Sequence, residues 1–255
     1  MGEENIHRVR MLLDEVFGDE NFISQIHYTT TSGLTSETLS RAGDYIIWYA
    51  KEKKALKYRQ LFSDKPNPLE NTKTKYDQLE DSNLKRRPLT SQEKSGVQHV
   101  TENSRLFRYG AIDSQDPPPV PTPFRLFGKD NFPASGRHWT ANYPLGMNRL
   151  KYAYRLGSQG KNIAYIRYFD DFNLQPLHNL WSDIGGTVQS RSDPKIYVVQ
   201  TGTSVIQRCV LMATDPGDLI LDPTCGSGTT AYVAEQWGRR WITIDTSRVA
   251  LALAR

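Results

Sequence analysis

The chain has 255 residues, with 32 lysines and arginines against 28 aspartates and glutamates, a net charge of +4 and a pI near 8.9. At 38% hydrophobic and 24% charged residues it has enough apolar material to bury a core, and it contains no apolar run near the roughly 20 residues of a membrane helix. Two cysteines exclude a disulfide framework or a cysteine-rich zinc site, and with no charged-then-apolar leader the default expectation is a cytoplasmic protein.

Ile6, Val9, Leu12, Leu13 and Val16 recur at helical spacing and predict a helix from Asn5 to Phe17, with Gly18 as its terminator. Phe22 to Tyr28 alternates partly as a strand, and Asp44 to Ala50 is a stronger strand candidate. Between them, Thr29 to Ala42 is rich in Thr, Ser and Gly and reads as a mobile loop facing a substrate groove. Residues 63 to 135 shift to proline, asparagine, serine and mixed charge, and the run Pro117-Pro118-Pro119 with Pro121 and Pro123 is extended, so this stretch reads as an insertion outside the central sheet. Met147, Leu150 and Tyr154 predict a short amphipathic helix, Ile163 to Phe169 a strand, and Asn179 to Gly186 an irregular loop returning to the core.

The densest information lies in residues 218 to 245. Leu219, Ile220 and Leu221 form a buried-strand pattern, Gly226 and Gly228 permit a tight turn, Thr229 onward has helical character, and a second strand is expected to end in Asp245. The run Gly226 to Ala231 satisfies G-x-G-x-x-A, and an acid follows at Asp245, which is also the pattern of a dinucleotide site. Asp222 argues against that ligand, because a carboxylate between strand and glycines repels a pyrophosphate in a low-dielectric crevice. A P-loop fails because no lysine follows the second glycine. A donor carrying an ammonium and a sulfonium fits best, which is S-adenosylmethionine, with Asp245 accepting from both ribose hydroxyls.

The run Asp222-Pro223-Thr224-Cys225-Gly226-Ser227-Gly228-Thr229-Thr230 resembles the cofactor motif of the amino-methylating DNA methyltransferases, D-P-F-x-G-S-G-T-T, with Thr224 in the aromatic position. Tyr197 to Arg208 resembles the helix that precedes this turn in the circularly permuted members, with Gln200-Thr201-Gly202 where Gln-Lys-Pro is usual. Residues 5 to 58 resemble a piece of the modification subunits of type III restriction systems, and the middle carries only the matching phrases Gly136-Arg137-His138-Trp139 and Leu180-Trp181-Ser182-Asp183. The resemblance implies an α/β, Rossmann-like S-adenosylmethionine-dependent methyltransferase fold, incomplete at both ends, with an inserted target-recognition region. Residues 1–62 would be the N-terminal part of the core, 63–190 the insertion and 191–255 the cofactor-binding half. Its cofactor residues would be Asp222, Pro223, Thr224, Cys225, Gly226, Ser227, Gly228, Thr229, Thr230 and Asp245, with no metal. The implied reaction moves a methyl group from S-adenosylmethionine to the exocyclic amino group of adenine in double-stranded DNA, within a restriction-modification system. A homodimer and a helicase-nuclease restriction subunit are the further partners it suggests. Three alternatives stand beside it: a cytosine amino methyltransferase, a catalytically dead DNA-binding remnant and a nicotinamide-dependent oxidoreductase.

Methylating an exocyclic amine requires a flipped base held in line with the donor, which the family achieves with Asp, Asn or Ser followed by Pro-Pro and an aromatic. The only approximation here is Asp116-Pro117-Pro118-Pro119, which ends in proline and reads as a surface linker. In the permuted order the tetrad would precede the helix near Asn5, so the catalytic residues are unassigned and the chain is expected to turn over little substrate alone. His7, His27, His99, His138 and His178 lack metal-ligand spacing, and Cys209, Cys225, Trp139 and Trp181 read as packing residues. Lys85, Arg86, Arg87, Arg105 and Arg108 are candidate phosphate contacts, as are Lys51, Lys53, Lys54 and Lys57, with solvated charge as the plainer account.

Overall fold

A computed structural model describes residues 1–30, 38–70, 75–101, 103–116, 118, 120–160, 162–184 and 200–254. Residues 31–37 of the predicted loop at 29–42, positions 197–199 of the pre-turn stretch, Gly185, Gly186, Pro117 and Pro119 therefore lie outside the described residues. The chain divides into two compact units, Met1–Ser63 with Gln175–Arg255, and Asp64–Leu174. The second falls within the predicted insertion, but residues 175–184 do not belong to it. Leu180 and Trp181 pair in parallel with His27 and Tyr28, and Trp181 is 1% exposed in the core of the first unit.

In the first unit, α1 (Glu3–Phe17) opens with Glu3 and Glu4, where negative charge complements the helix dipole. It closes at Gly18, whose φ of 84° lets its N–H reach the carbonyl of Asp14. The helix is tied to the sheet by Tyr49, whose hydroxyl bonds Asp14, while the Arg10 guanidinium pairs with Asp14 and lies 3.6 Å above the Phe22 ring. β1 (Phe22–Thr29) and β2 (Gly43–Tyr49) are antiparallel with Ile26 opposite Ile46, and β3 (Leu180–Trp181) adds a parallel strand on the other side of β1. Ile26, Tyr28, Trp181 and Ile184 form a core with Val205 and Met212 from α2 (Thr203–Ala213).

The C-terminal part is a βαβ unit. β4 (Leu219–Asp222) and β5 (Arg240–Thr243) pair in parallel, joined by α3 (Thr229–Gln236), and α4 (Arg248–Leu253) follows. Among the described residues this sheet has two strands. Leu219, Leu221, Trp241, Ile242 and Ile244 are exposed, unlike the strands of most parallel sheets, which are covered on both faces.

The second unit contains an antiparallel sheet of five strands in the order Leu156–Gln159, Asn162–Tyr168, Arg105–Gly110, Gln78–Glu80, Arg86–Pro88. Residues 63–135 read in the sequence as an insertion outside the central sheet, and the strands they contribute belong to this separate sheet of the second unit. In Arg105–Gly110 each face mixes an arginine with apolar residues, so the two-residue alternation that signals a half-buried strand is hidden. Phe107, Ile166 and Tyr168 pack on one face. Leu156 and Ile163 from the other join Trp139, Phe124 and Met147, the last carried by the helix Leu145–Tyr152.

Candidate functional site

The glycine turn is built by its flanking acids. After Asp222 the chain leaves β4, and the Asp222 carboxylate accepts from the Thr224 N–H at 3.0 Å and the Thr230 hydroxyl at 2.6 Å, which fastens the start of the turn to the first turn of α3. Gly226 at φ 53° and Gly228 at φ 86° occupy the left-handed region, and Gly228 caps α3. Cys225 is buried, and its N–H bonds the carbonyl of Ile244, joining the turn to the end of the second strand.

Asp245 was expected to end that strand. The strand stops at Thr243, and the Asp245 carboxylate instead turns inward to accept from the Gly226 N–H and the Ser247 N–H, both at 2.8 Å. Those backbone donors, Ser247 first and then Gly226, hold its carboxyl below the usual aspartate range against a smaller opposing effect of burial. Each carboxylate oxygen keeps a second lone pair, so both acids can accept further hydrogen bonds. Pro223 and Thr224 are exposed and Ser227 and Thr229 half-buried, so the structure brings all ten predicted cofactor residues into one turn and its two flanks.

The chemistry of this cradle is that of acceptors. The N–H groups of Thr224 and Gly226, which a phosphate-binding turn would present to its ligand, are bonded to carboxylates. Two negative side chains with spare lone pairs suit a ligand that brings hydroxyl donors and positive charge, and S-adenosylmethionine meets that description.

The other candidates separate cleanly. Trp139 and Trp181 are buried, each donating its indole N–H to a backbone carbonyl, at Thr122 and His178. Burial pushes the Cys209 thiol up to about 11, which removes it as a nucleophile. Asp116 is exposed at φ 77°, just after the strand Asp113–Gln115, its carbonyl paired with a ring nitrogen of His138. Lys57 is held by Asp218 at 2.7 Å, and the Lys53 ammonium donates to the Phe22 carbonyl. Among the described residues no group of three or more His, Cys, Asp or Glu could hold a metal, and no helix is long and apolar enough to cross a membrane. Sequence reasoning missed the acid-to-backbone bonds of Asp222 and Asp245; Asp followed two residues later by Thr, a pattern of side-chain turns, was the available signal for the first.

The family described as DNA methylase, the N6 and N4 methyltransferases, matches residues 1–255. The chain belongs to this family. The type II methyltransferase M.EcaI of Enterobacter cloacae is 28% identical over 98% of this chain and 50% of its own length, and M2.DpnII of Streptococcus pneumoniae is 49% identical over 20% of this chain and 19% of its own. This DNA methylase chain thus spans about half the length of M.EcaI. These relatives are type II enzymes, and the type III likeness of residues 5–58 rests on sequence pattern alone. A solved PvuII DNA methyltransferase described as cytosine-N4-specific is similar over 45% of this chain and 46% of its own at 16% identity and a TM-score of 0.28, too partial to assign fold or target.

Proposed function

We propose that this chain carries the methyl-donor site of a site-specific DNA methyltransferase that acts on the exocyclic amino group of adenine within a restriction-modification system. The observation that carries the reading is the acid-lined glycine turn of a DNA methylase, in which Asp222 and Asp245 occupy the turn's own N–H donors and leave lone pairs for the ligand. Asp245 would accept from the ribose hydroxyls, Gly226 and Gly228 would admit the methionine portion, and Asp222 would add negative charge beside the cationic donor. S-adenosylmethionine itself supplies an electrophilic methyl group. The 255 residues contain no Asp-Pro-Pro-aromatic run to hold a flipped base, so this chain alone binds the donor and transfers little methyl. Adenine is favoured over cytosine by the type III-like pattern of residues 5 to 58.

Equilibrium binding of S-adenosylmethionine, compared between wild type and Asp245→Ala, tests the assignment. The variant is expected to bind on the order of tenfold more weakly or worse, because it loses acceptors for two hydroxyls and the tether of Gly226. Equal affinities would remove Asp245 from the site, and NADH binding in place of S-adenosylmethionine would overturn the whole reading. Supplied with the missing tetrad in trans or in cis, the chain is expected to label adenine N6 in duplex DNA; label on cytosine N4 would reassign the target.

A further inference from the structure

We propose that Arg108 and Arg167 form a cross-strand clamp for the phosphate backbone of duplex DNA. The proposal rests on the reading of this chain as a DNA methyltransferase and adds a binding site in the second unit. The two residues are register partners in antiparallel strands, so their side chains leave the same face of the five-stranded sheet side by side. Like charges in that relation repel, and a fold with no use for them would pair each with a carboxylate.

That is how this unit treats its other arginines. Arg86, Arg87, Arg105, Arg125, Arg137 and Arg155 each hold an aspartate or glutamate, Arg86 at 2.5 Å from Glu80 and Arg105 at 2.9 Å from Asp170. Arg149 stands alone, exposed on a helix. Among the described residues Arg108 and Arg167 have no ion-pair partner, although they are adjacent. Arg108 is half-buried with its Nε shielded from solvent and bonded to nothing, its guanidinium 5.6 Å from the Tyr76 ring, while Arg167 is exposed. Two adjacent guanidinium groups with no carboxylate partner among the described residues repel one another, an anion across their exposed ends offsets that repulsion, and the planar guanidinium fork matches phosphate oxygens. The pairing also sorts the basic residues that the sequence offered as phosphate contacts. Arg86, Arg87 and Arg105 are internally neutralised, Arg108 has no ion-pair partner among the described residues, and its neighbour Arg167 becomes visible only through the strand register.

The test is the salt dependence of binding between the full chain and a short fluorescent duplex of random sequence, followed by anisotropy. Each phosphate contact contributes about 0.9 to the slope of log affinity against log salt, so the slope of the double variant R108Q/R167Q should be shallower by about 2. Its affinity at low salt should fall on the order of tenfold or more, equally on unrelated sequences. The variant R125Q, which removes an exposed but paired arginine, should keep the wild-type slope. R167Q alone, at an exposed position with no ion-pair partner among the described residues, should lower the slope by about 1 and preserves the test if the double variant does not fold. An unchanged slope in both, an equal change in R125Q, or a loss confined to one sequence would overturn the clamp while leaving DNA binding intact. Wild type that binds no duplex at all would overturn the DNA reading and the clamp with it.

Discussion

Gly228→Ala isolates what the turn requires of its second glycine. The residue caps α3 at φ 86° and ψ 20°, where an L side chain costs about 1–2 kcal/mol. An added Cβ would also lie 3.0 Å from the Ala254 Cβ and 3.3 Å from its Cα, so the end of α4 must move, an overpacking cost of about 1–3 kcal/mol. Gly238, just beyond α3, is the matched control: its φ is 71°, and a Cβ there meets nothing within 4 Å. Gly238→Ala should therefore show the backbone cost alone, about 2–8 °C in Tm at roughly 2–4 °C per kcal/mol, and should bind S-adenosylmethionine as wild type does. Gly228→Ala should lose roughly twice as much Tm or more and bind the donor measurably more weakly, since the displaced segment flanks the cradle. Thermal unfolding by circular dichroism and donor titration on the same samples give both numbers. Equal Tm losses in the two variants, or undiminished donor affinity in Gly228→Ala, would refute the account of this turn.

Two predictions concern the second unit. Glu80 is 3% exposed, pairs with Arg86 and accepts the Tyr168 hydroxyl at 2.6 Å, so Glu80→Gln should cost about 3–5 kcal/mol and Tyr168→Phe about 1.5–3 kcal/mol in urea denaturation. A loss below about 1 kcal/mol in Glu80→Gln would show that the buried charge is not held by this network. Glu93 closes a capping box with Thr90 and pairs with Arg87, whose guanidinium holds its carboxyl at about 2 despite burial. A lowered folded-state value means that the stabilisation is complete above the unfolded value near 4.5 and is lost as pH falls through about 2. The denaturation midpoint of wild type should thus drop more steeply over that window than that of Glu93→Gln, and parallel profiles would contradict the pairing.

Much of the first unit was legible because its signals are local. Five apolar residues at helical spacing and a following glycine specify α1, and Leu219 to Gly228 specify strand, turn and helix within ten residues. The second unit was not legible as a sheet. Its strands are three to seven residues long, and their faces carry both arginines and core residues, with Arg105 beside Phe107 and Arg108 beside Leu106. Such faces are stabilised by ion pairs between distant residues, Arg105 with Asp170 and Arg155 with Asp171, which no local pattern announces. The membership of residues 175–184 in the first unit likewise depends on Trp181 filling a core built by Ile26 and Met212, which no local pattern announces.

The choice of ligand at the turn depended, in the sequence, on repulsion between Asp222 and a pyrophosphate. The geometry replaces that long-range argument with a local one. Dinucleotide and mononucleotide turns bind phosphate because their N–H groups point free into the crevice. Here the N–H groups of Thr224 and Gly226 are bound to Asp222 and Asp245, so a phosphate would have to displace a carboxylate from each and then sit beside it. A diol or a cation faces no such exchange, because it uses lone pairs that the turn leaves spare. The two acids thus do double duty: they bind the N–H groups of Thr224 and Gly226, and in doing so they replace donors that would suit an anion with a cradle of acceptors.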